Sequence, residues 1–124
     1  MRTLYLRLEF LASGEYNDVV SSAEFIGGTP SNPNKLRLWV IDGSFLDIWL
    51  SADGDYAFHW ERRRQTGEIF RWDNAPHHPE IITFPQHLHY GDESKIVESR
   101  LSKEPESALR QILDFIQTQL SSQQ

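Results

Sequence analysis

The sequence contains no cysteine, which excludes disulfide bonds, thiolate nucleophiles and metal sites with cysteine ligands. It also lacks an apolar run of about 18 residues, so no transmembrane helix is predicted. The layout of a signal peptide is missing as well, because Arg7 and Glu9 interrupt the first apolar stretch. These absences predict a cytoplasmic protein. The length of 124 residues predicts a single domain over 1–124, with disorder confined to 121–124.

An excess of positive charge is also missing, since the formal net charge is -6. The chain as a whole is therefore not a general binder of polyanions. Positive charge is concentrated locally in Arg62, Arg63, Arg64 and Arg71, with Glu68 as the one acid among them. This cluster is compatible with a short stretch of nucleic acid, with an acidic partner or with a solvated loop.

Alternating apolar residues predict a series of strands in the middle of the chain, joined to one another by short turns that contain glycine. The predicted strands cover 36–41, 45–50, 56–61 and 68–72. Consecutive strands with short turns form an antiparallel β-meander. Weaker patterns predict a strand over 19–26, an irregular loop over 27–34 and a further strand over 87–90.

Alternation also assigns the side chains of these strands to two faces. One face is almost wholly apolar and is expected to lie against the core. Its members are Leu36, Leu38, Val40, Leu46, Ile48, Leu50, Tyr56, Phe58, Trp60, Phe70 and Trp72. The other face mixes charge with tryptophan, which indicates a partly covered surface or a binding surface. Its members are Arg37, Trp39, Asp47, Trp49, His59, Glu61, Ile69, Arg71 and Asp73.

Helical spacing of apolar residues near the C-terminus predicts a helix that begins at about Pro105 and covers the apolar face of the sheet. The segment 4–11 fits both a helix and a strand, and we favour a short helix. The predicted fold class is therefore α+β: an antiparallel meander sheet with a C-terminal helix on its apolar face and a short N-terminal helix.

All five histidines lie between His59 and His89. Histidine titrates near neutral pH, so such clustering indicates chemistry. Cleavage of RNA needs one group that takes the 2′-hydroxyl proton, one that protonates the leaving oxygen, and a cation over the developing negative charge. The candidate catalytic residues are His59, Arg71, Asp73, His77, His78, His87 and His89. The candidate substrate-binding residues are Arg62, Arg63, Arg64, Asn74 and Trp49.

Two other interpretations of the same residues stay open, although the leading one requires no cofactor. His87 and His89 share one face of a strand, so a divalent metal is an alternative if His77, His78 or Asp73 completes the site. No spacing specific to a known metal motif accompanies them. The residues are equally compatible with an architectural or partner-binding role, in which Asp73 would cap a loop.

Four short motifs resemble the TumE family of toxins from bacterial and archaeal toxin–antitoxin systems. The motifs are Asp-Gly-Ser at 42–44, Tyr-Ala-Phe-His-Trp at 56–60, Arg-Trp-Asp-Asn-Ala-Pro-His-His at 71–78 and Phe-Pro-Gln-His-Leu-His at 84–89. The resemblance covers about 36–90, with the C-terminal helix in the expected place. It implies a growth-inhibiting toxin that is neutralised by a helix-turn-helix antitoxin encoded nearby.

The leading hypothesis is therefore a type II toxin that acts on RNA through histidine acid–base chemistry. In that hypothesis the histidines transfer protons, Arg71 binds phosphate and Asp73 orients a histidine. The first alternative is a protein-binding module without catalysis, whose mixed face pairs with an antitoxin or with a second copy in a homodimer. The second alternative is a metal-dependent hydrolase.

Overall fold

The computed structural model describes residues 1–122 and has the predicted α+β architecture. Seven strands form one antiparallel sheet in the order in which they occur along the chain. The elements are α1 (Arg2–Glu15), β1 (Val20–Thr29), β2 (Asn32–Val40), β3 (Phe45–Leu50), β4 (Tyr56–Arg62), β5 (Glu68–Asp73), β6 (His87–Gly91), β7 (Ile96–Glu98) and α2 (Pro105–Ser121). The predicted meander is thus confirmed, as are both helices.

The predicted irregular loop over 27–34 is wrong, because β1 and β2 continue through it as a hairpin. Thr29 pairs with Asn32 at the tip, and the Asn32 N–H donates to Thr29 Oγ1 at 3.1 Å. Gly28 has a φ of 66° and lies so close to the opposite strand that a Cβ there would be 2.4 Å from the Asn32 carbonyl oxygen. Gly27 and Gly28 therefore lie within β1 and do not end it.

Two further differences concern the C-terminal part of the chain. Strand β7 was not predicted, because three residues are too few for an alternation pattern. Disorder was expected over 121–124, whereas in the structure Ser121 ends α2 and the Ser122 N–H donates to the Thr118 carbonyl at 3.1 Å. Residues 123–124 lie outside the described part of the chain.

The hydrophobic core lies on the predicted apolar face of the sheet. Trp60 and Trp72 are 0% and 6% exposed, which confirms that both belong to the core. Phe115 of α2 packs edge-on against Trp60, Phe70 and Trp72, with ring centroids 6.2, 5.1 and 5.5 Å apart. These aromatic contacts join the C-terminal helix to β4 and β5.

Helix α1 packs on the same face of the sheet. The Tyr5 hydroxyl donates to the Asn34 carbonyl and accepts from the Leu50 N–H, both at 3.0 Å, and so links β2 to β3. The two helices also contact each other, since the Tyr16 hydroxyl donates to Asp114 Oδ1 at 2.8 Å. Because both helices lie on one face, neither of them covers the opposite face of the sheet. Neither helix within residues 1–122 is long and apolar enough to span a bilayer.

The contact between α2 and the sheet predicts a difference between two phenylalanines. Substituting Phe115→Ala removes the ring that packs on three core aromatics, and we expect a loss of about 3 kcal/mol in the free energy of unfolding. Phe10 is 83% exposed, so Phe10→Ala should change it by less than about 0.5 kcal/mol. Urea unfolding of both variants measures the difference, and equal effects would contradict this packing.

Candidate functional site

Five neighbouring strands place one polar side chain each in a continuous row on the helix-free face of the sheet. Arg37 of β2 pairs with Asp47, Asp47 with His59, His59 with Arg71, and Arg71 with His89 of β6. Directly opposed residues in antiparallel strands have side chains on the same face within contact distance. The pairing therefore brings together residues that lie far apart along the chain.

The first part of the row is an ion pair with a structural role. Asp47 is 7% exposed and receives two hydrogen bonds from Arg37, from Nε at 2.8 Å and from Nη2 at 2.9 Å. Lys35 Nζ lies 3.4 Å from the same carboxylate. A buried carboxylate is retained when charged hydrogen bonds replace the lost water, and two parallel bonds from one guanidinium do this well.

His59 at the centre of the row is hydrogen-bonded through both ring nitrogens. Its Nε2 lies 3.0 Å from Glu61 Oε1, and its Nδ1 accepts a hydrogen bond from Arg71 Nε at 3.0 Å. Burial lowers the pKa of His59, although the hydrogen bond with Glu61 acts in the opposite direction. The neutral His59 ring thus donates to Glu61 and accepts from Arg71. The second of these hydrogen bonds holds the Arg71 guanidinium in place.

A second group of polar residues lies beside this row, where β5 and β6 end. His87 is paired with Asp73 across the two strands, and His87 Nε2 lies 3.1 Å from Asp73 Oδ1. His89 Nε2 lies 3.5 Å from Asp73 Oδ2 and 3.2 Å from His87 Nε2. The loop between the strands adds His78, whose ring centroid is 4.7 Å from that of His87. We call His78, His87, His89 and Asp73 the imidazole cluster.

The imidazole cluster lies at the side of an open cleft of about 530 Å³, a size typical of small-molecule sites. Trp49, Arg71 and His77 line the same cleft. A second cleft of about 430 Å³ adjoins it and contains His59 and Glu61, with Trp49 and Arg71 at the boundary of the two. One aromatic ring and one guanidinium are thus accessible from both clefts.

The predicted catalytic residues converge in these two adjoining clefts. His59 and Arg71 occupy one, and Arg71, Asp73, His77, His78, His87 and His89 line the other. Their accessibility differs: His87 is 2% exposed and Asp73 is 7% exposed, while His77 is an exposed residue. The roles assigned to these residues from the sequence stay predictions.

The predicted substrate-binding residues do not all line the clefts. Trp49 and Asn74 line the larger cleft, and Asn74 also accepts a hydrogen bond from the Tyr56 N–H at 3.0 Å. Arg63 lines the smaller cleft and bonds Glu93 at 3.0 Å, while the exposed Arg64 lies in the turn after β4 and lines neither cleft.

Arg62 was predicted to bind substrate with Arg63 and Arg64, but it differs from these two neighbours because its side chain is buried. Its side chain is 1% exposed, and its guanidinium lies 4.2 Å from the centroid of the Trp60 ring. Asp42 and Glu68 carboxylates lie 3.4 and 3.6 Å away. Strand alternation puts Arg62 on the face of Trp60, which is the core face, so its side chain lies on the opposite side of the sheet from the clefts.

Two contributors to the site were missed in the sequence. The Glu93 carboxylate lies 3.7 Å from Arg71 Nη2, and the Glu93 carbonyl oxygen lies 2.8 Å from His89 Nδ1. Ala57 lies between Trp49 and Asp73 in the strand pairing and is small enough to form part of the floor of the cleft. Neither carries a sequence signal, because Glu93 is in an irregular turn and Ala57 is one apolar residue among many.

The fold and the site define a small α+β protein with a polar, histidine-rich cleft on the helix-free face of an antiparallel sheet. The family model of toxin TumE matches residues 8–120, so the chain belongs to the TumE toxin family. The resemblance inferred from its motifs is thereby confirmed and extends over nearly the whole chain. No curated protein and no solved structure matches the chain.

The environment of His59 predicts how stability depends on pH. In the folded protein its pKa is lowered from 6.5, so below about pH 6.5 the unfolded chain binds more protons and the free energy of unfolding falls as pH decreases. His59→Gln retains a donor for Glu61 and an acceptor for Arg71 but does not titrate. We expect the variant to lose less stability than wild type between about pH 7.5 and about pH 5.5 in urea unfolding. Equal losses would show that His59 does not contribute to the pH dependence.

Proposed function

We propose that this TumE family member is the toxin of a type II toxin–antitoxin system and arrests growth by cleaving RNA. One observation carries the proposal: Arg71, the Trp49 ring and the imidazoles of His77 and His78 line a single open cleft. Proton-transfer groups and a cation are the groups that phosphodiester cleavage requires, and an aromatic surface beside them can hold a base by stacking.

Arg71 and Trp49 would bind the nucleotide. The Arg71 side chain is 35% exposed and lines both clefts; its Nε is hydrogen-bonded to His59, and its Nη2 lies 3.7 Å from Glu93 Oε1. A guanidinium matches two phosphate oxygens at once and stays charged throughout the reaction. Trp49 is 36% exposed, so its ring offers a stacking surface for a base.

The accessible imidazoles of His77 and His78 would transfer the protons. One accepts the proton of the 2′-hydroxyl while that oxygen forms a bond to the adjacent phosphorus. The other gives a proton to the 5′-oxygen as its bond to phosphorus breaks, so the products are a 2′,3′-cyclic phosphate and a 5′-hydroxyl. His87 and Asp73 are too buried to reach a polymer and would position His78, whose ring packs on His87.

In this role the protein acts on cytoplasmic RNA and is neutralised by a protein antitoxin. Family membership supports a toxin, and a toxin that is stable inside the producing cell needs a partner that blocks it. We propose that this partner carries a helix-turn-helix domain and is encoded beside the toxin.

The proposal predicts that Arg71→Lys loses activity although the charge is kept. Lysine lacks the guanidinium group, so it cannot make bidentate hydrogen bonds to phosphate while it also donates to His59. We expect the rate of RNA cleavage by the purified protein to fall by about 100-fold and growth arrest on induction to disappear. Arg7→Lys is the matched control, because Arg7 lies on α1, on the other side of the sheet, where it pairs with Glu106.

Growth and total RNA are followed after tightly controlled induction of equal amounts of soluble protein. Growth arrest with RNA loss in wild type and Arg7→Lys, but not in Arg71→Lys, supports the proposal. Arrest by all three proteins would contradict the assignment of Arg71. Growth arrest by wild type with intact RNA would contradict RNA as the target.

A further inference from the structure

Three groups with lone pairs meet inside the imidazole cluster: two imidazole nitrogens and one carboxylate. His87 Nε2 and His89 Nε2 are 3.2 Å apart, and the Asp73 carboxylate oxygens lie 3.1 Å from the first and 3.5 Å from the second. The three residues are 2%, 9% and 7% exposed, so water has little access to them. A polar group that is shielded from water needs a partner of its own, and each of these three groups faces the other two.

The hydrogen bonds on the far side of each ring decide where its proton is. His87 Nδ1 lies 3.0 Å from the Pro85 carbonyl oxygen, and His89 Nδ1 lies 2.8 Å from the Glu93 carbonyl oxygen. A carbonyl oxygen accepts hydrogen bonds and does not donate them, so both Nδ1 atoms must carry the hydrogen. A neutral imidazole has only one N–H, so both Nε2 atoms are left with an exposed lone pair.

Two lone pairs and a carboxylate therefore point at one another with no proton among them when both rings are neutral. This arrangement is repulsive unless a cation lies at the centre. A proton shared between the rings cancels the repulsion only in part, because it bridges two of the three groups. A metal ion cancels it fully, because it binds all three at once.

We propose that the imidazole cluster is a binding site for a divalent transition metal ion, with Zn²⁺ as the representative ion. Two zinc ligands with bonds of about 2.05 Å at a tetrahedral angle lie roughly 3.3 Å apart. The three distances of 3.1, 3.2 and 3.5 Å match this spacing before any rearrangement. The cluster thus has the geometry of a metal site.

His78 is the third imidazole ligand in the metal-bound form, in which its ring is not available for proton transfer. One ring nitrogen of each of the three histidines lies within 4.8 Å of the others, and the His78 ring is partly exposed. Its Nδ1 is 3.4 Å from Glu80 Oε1, a carboxylate contact of the kind that orients ligand histidines. The carbonyls of Pro85 and Glu93 do the same for the other two rings.

The donor set favours a particular class of metal. Three imidazole nitrogens and one carboxylate suit Zn²⁺, Ni²⁺ or Co²⁺, whereas Mg²⁺ and Ca²⁺ prefer oxygen ligands. The metal and the shared proton occupy the same lone pairs, so each excludes the other. This inference concerns binding and does not depend on whether RNA is the substrate.

The test is calorimetric titration of the purified full chain with Zn²⁺ at about pH 7.5. We expect one ion per chain, with affinity reduced at least about 100-fold in His87→Gln and in His89→Gln. His59→Gln is the matched control, because it removes a partly buried imidazole from the same face whose two nitrogens are already hydrogen-bonded. Its affinity for Zn²⁺ should equal that of wild type.

A second measurement needs no substitution in the cluster and so does not depend on a variant that folds. Co²⁺ added to wild-type protein should give the visible absorption of a tetrahedral nitrogen and oxygen site, and Zn²⁺ should abolish it. Absence of saturable Zn²⁺ and Co²⁺ binding to wild type would overturn the proposal, as would unchanged affinity in folded His87→Gln and His89→Gln.

The Arg71→Lys variant separates this inference from the proposed function. Arg71 is outside the cluster, so the variant should bind Zn²⁺ like wild type even where it no longer cleaves RNA. Metal-free wild-type protein that leaves RNA intact, although it binds Zn²⁺ when the ion is added, would refute the proposed function alone. Wild-type protein that cleaves RNA and binds no metal would refute the metal site alone.

Discussion

Antiparallel pairing in a fixed register is the constraint on which the rest of this structure depends. Side chains alternate between the two faces of a strand, so a slip of one residue would exchange the faces. Tight turns prevent such a slip, and Gly43 and Gly67 have the positive φ of 88° and 83° that these turns require. The same register that buries Trp60 therefore aligns His59 with Arg71 on the opposite face.

The two faces of the sheet differ because of where the helices lie. Both helices pack on the apolar face and bury its aromatic residues against Phe115. The opposite face has no helical cover, so it accommodates charge and remains accessible through two clefts. Its buried carboxylates at Asp47 and Asp73 are not solvated, and each is compensated by a cationic or hydrogen-bonding neighbour.

The chain belongs to the TumE toxin family, and two adjoining clefts on the helix-free face of its sheet hold the polar residues. The accessible residues Arg71, Trp49 and His78 would contact a substrate, while His87 and His89 lie behind them. The buried pair has a chemistry of its own, because both rings are oriented by backbone carbonyls. Because the His78 ring packs on the His87 ring, the proposed metal site lies next to the proposed ribonuclease site.

The sequence alone determined the α+β class, the meander from β2 to β6, the core positions of Trp60 and Trp72, and the grouping of the histidines. These features depend on alternation, turn residues and spacing, which are local properties of a chain. Only the tertiary structure decided that Arg62 is buried and that the β1–β2 hairpin extends through 27–34. It also decided which nitrogens of His87 and His89 carry protons, because that depends on carbonyl groups brought into place by the fold, and no residue pattern encodes their position.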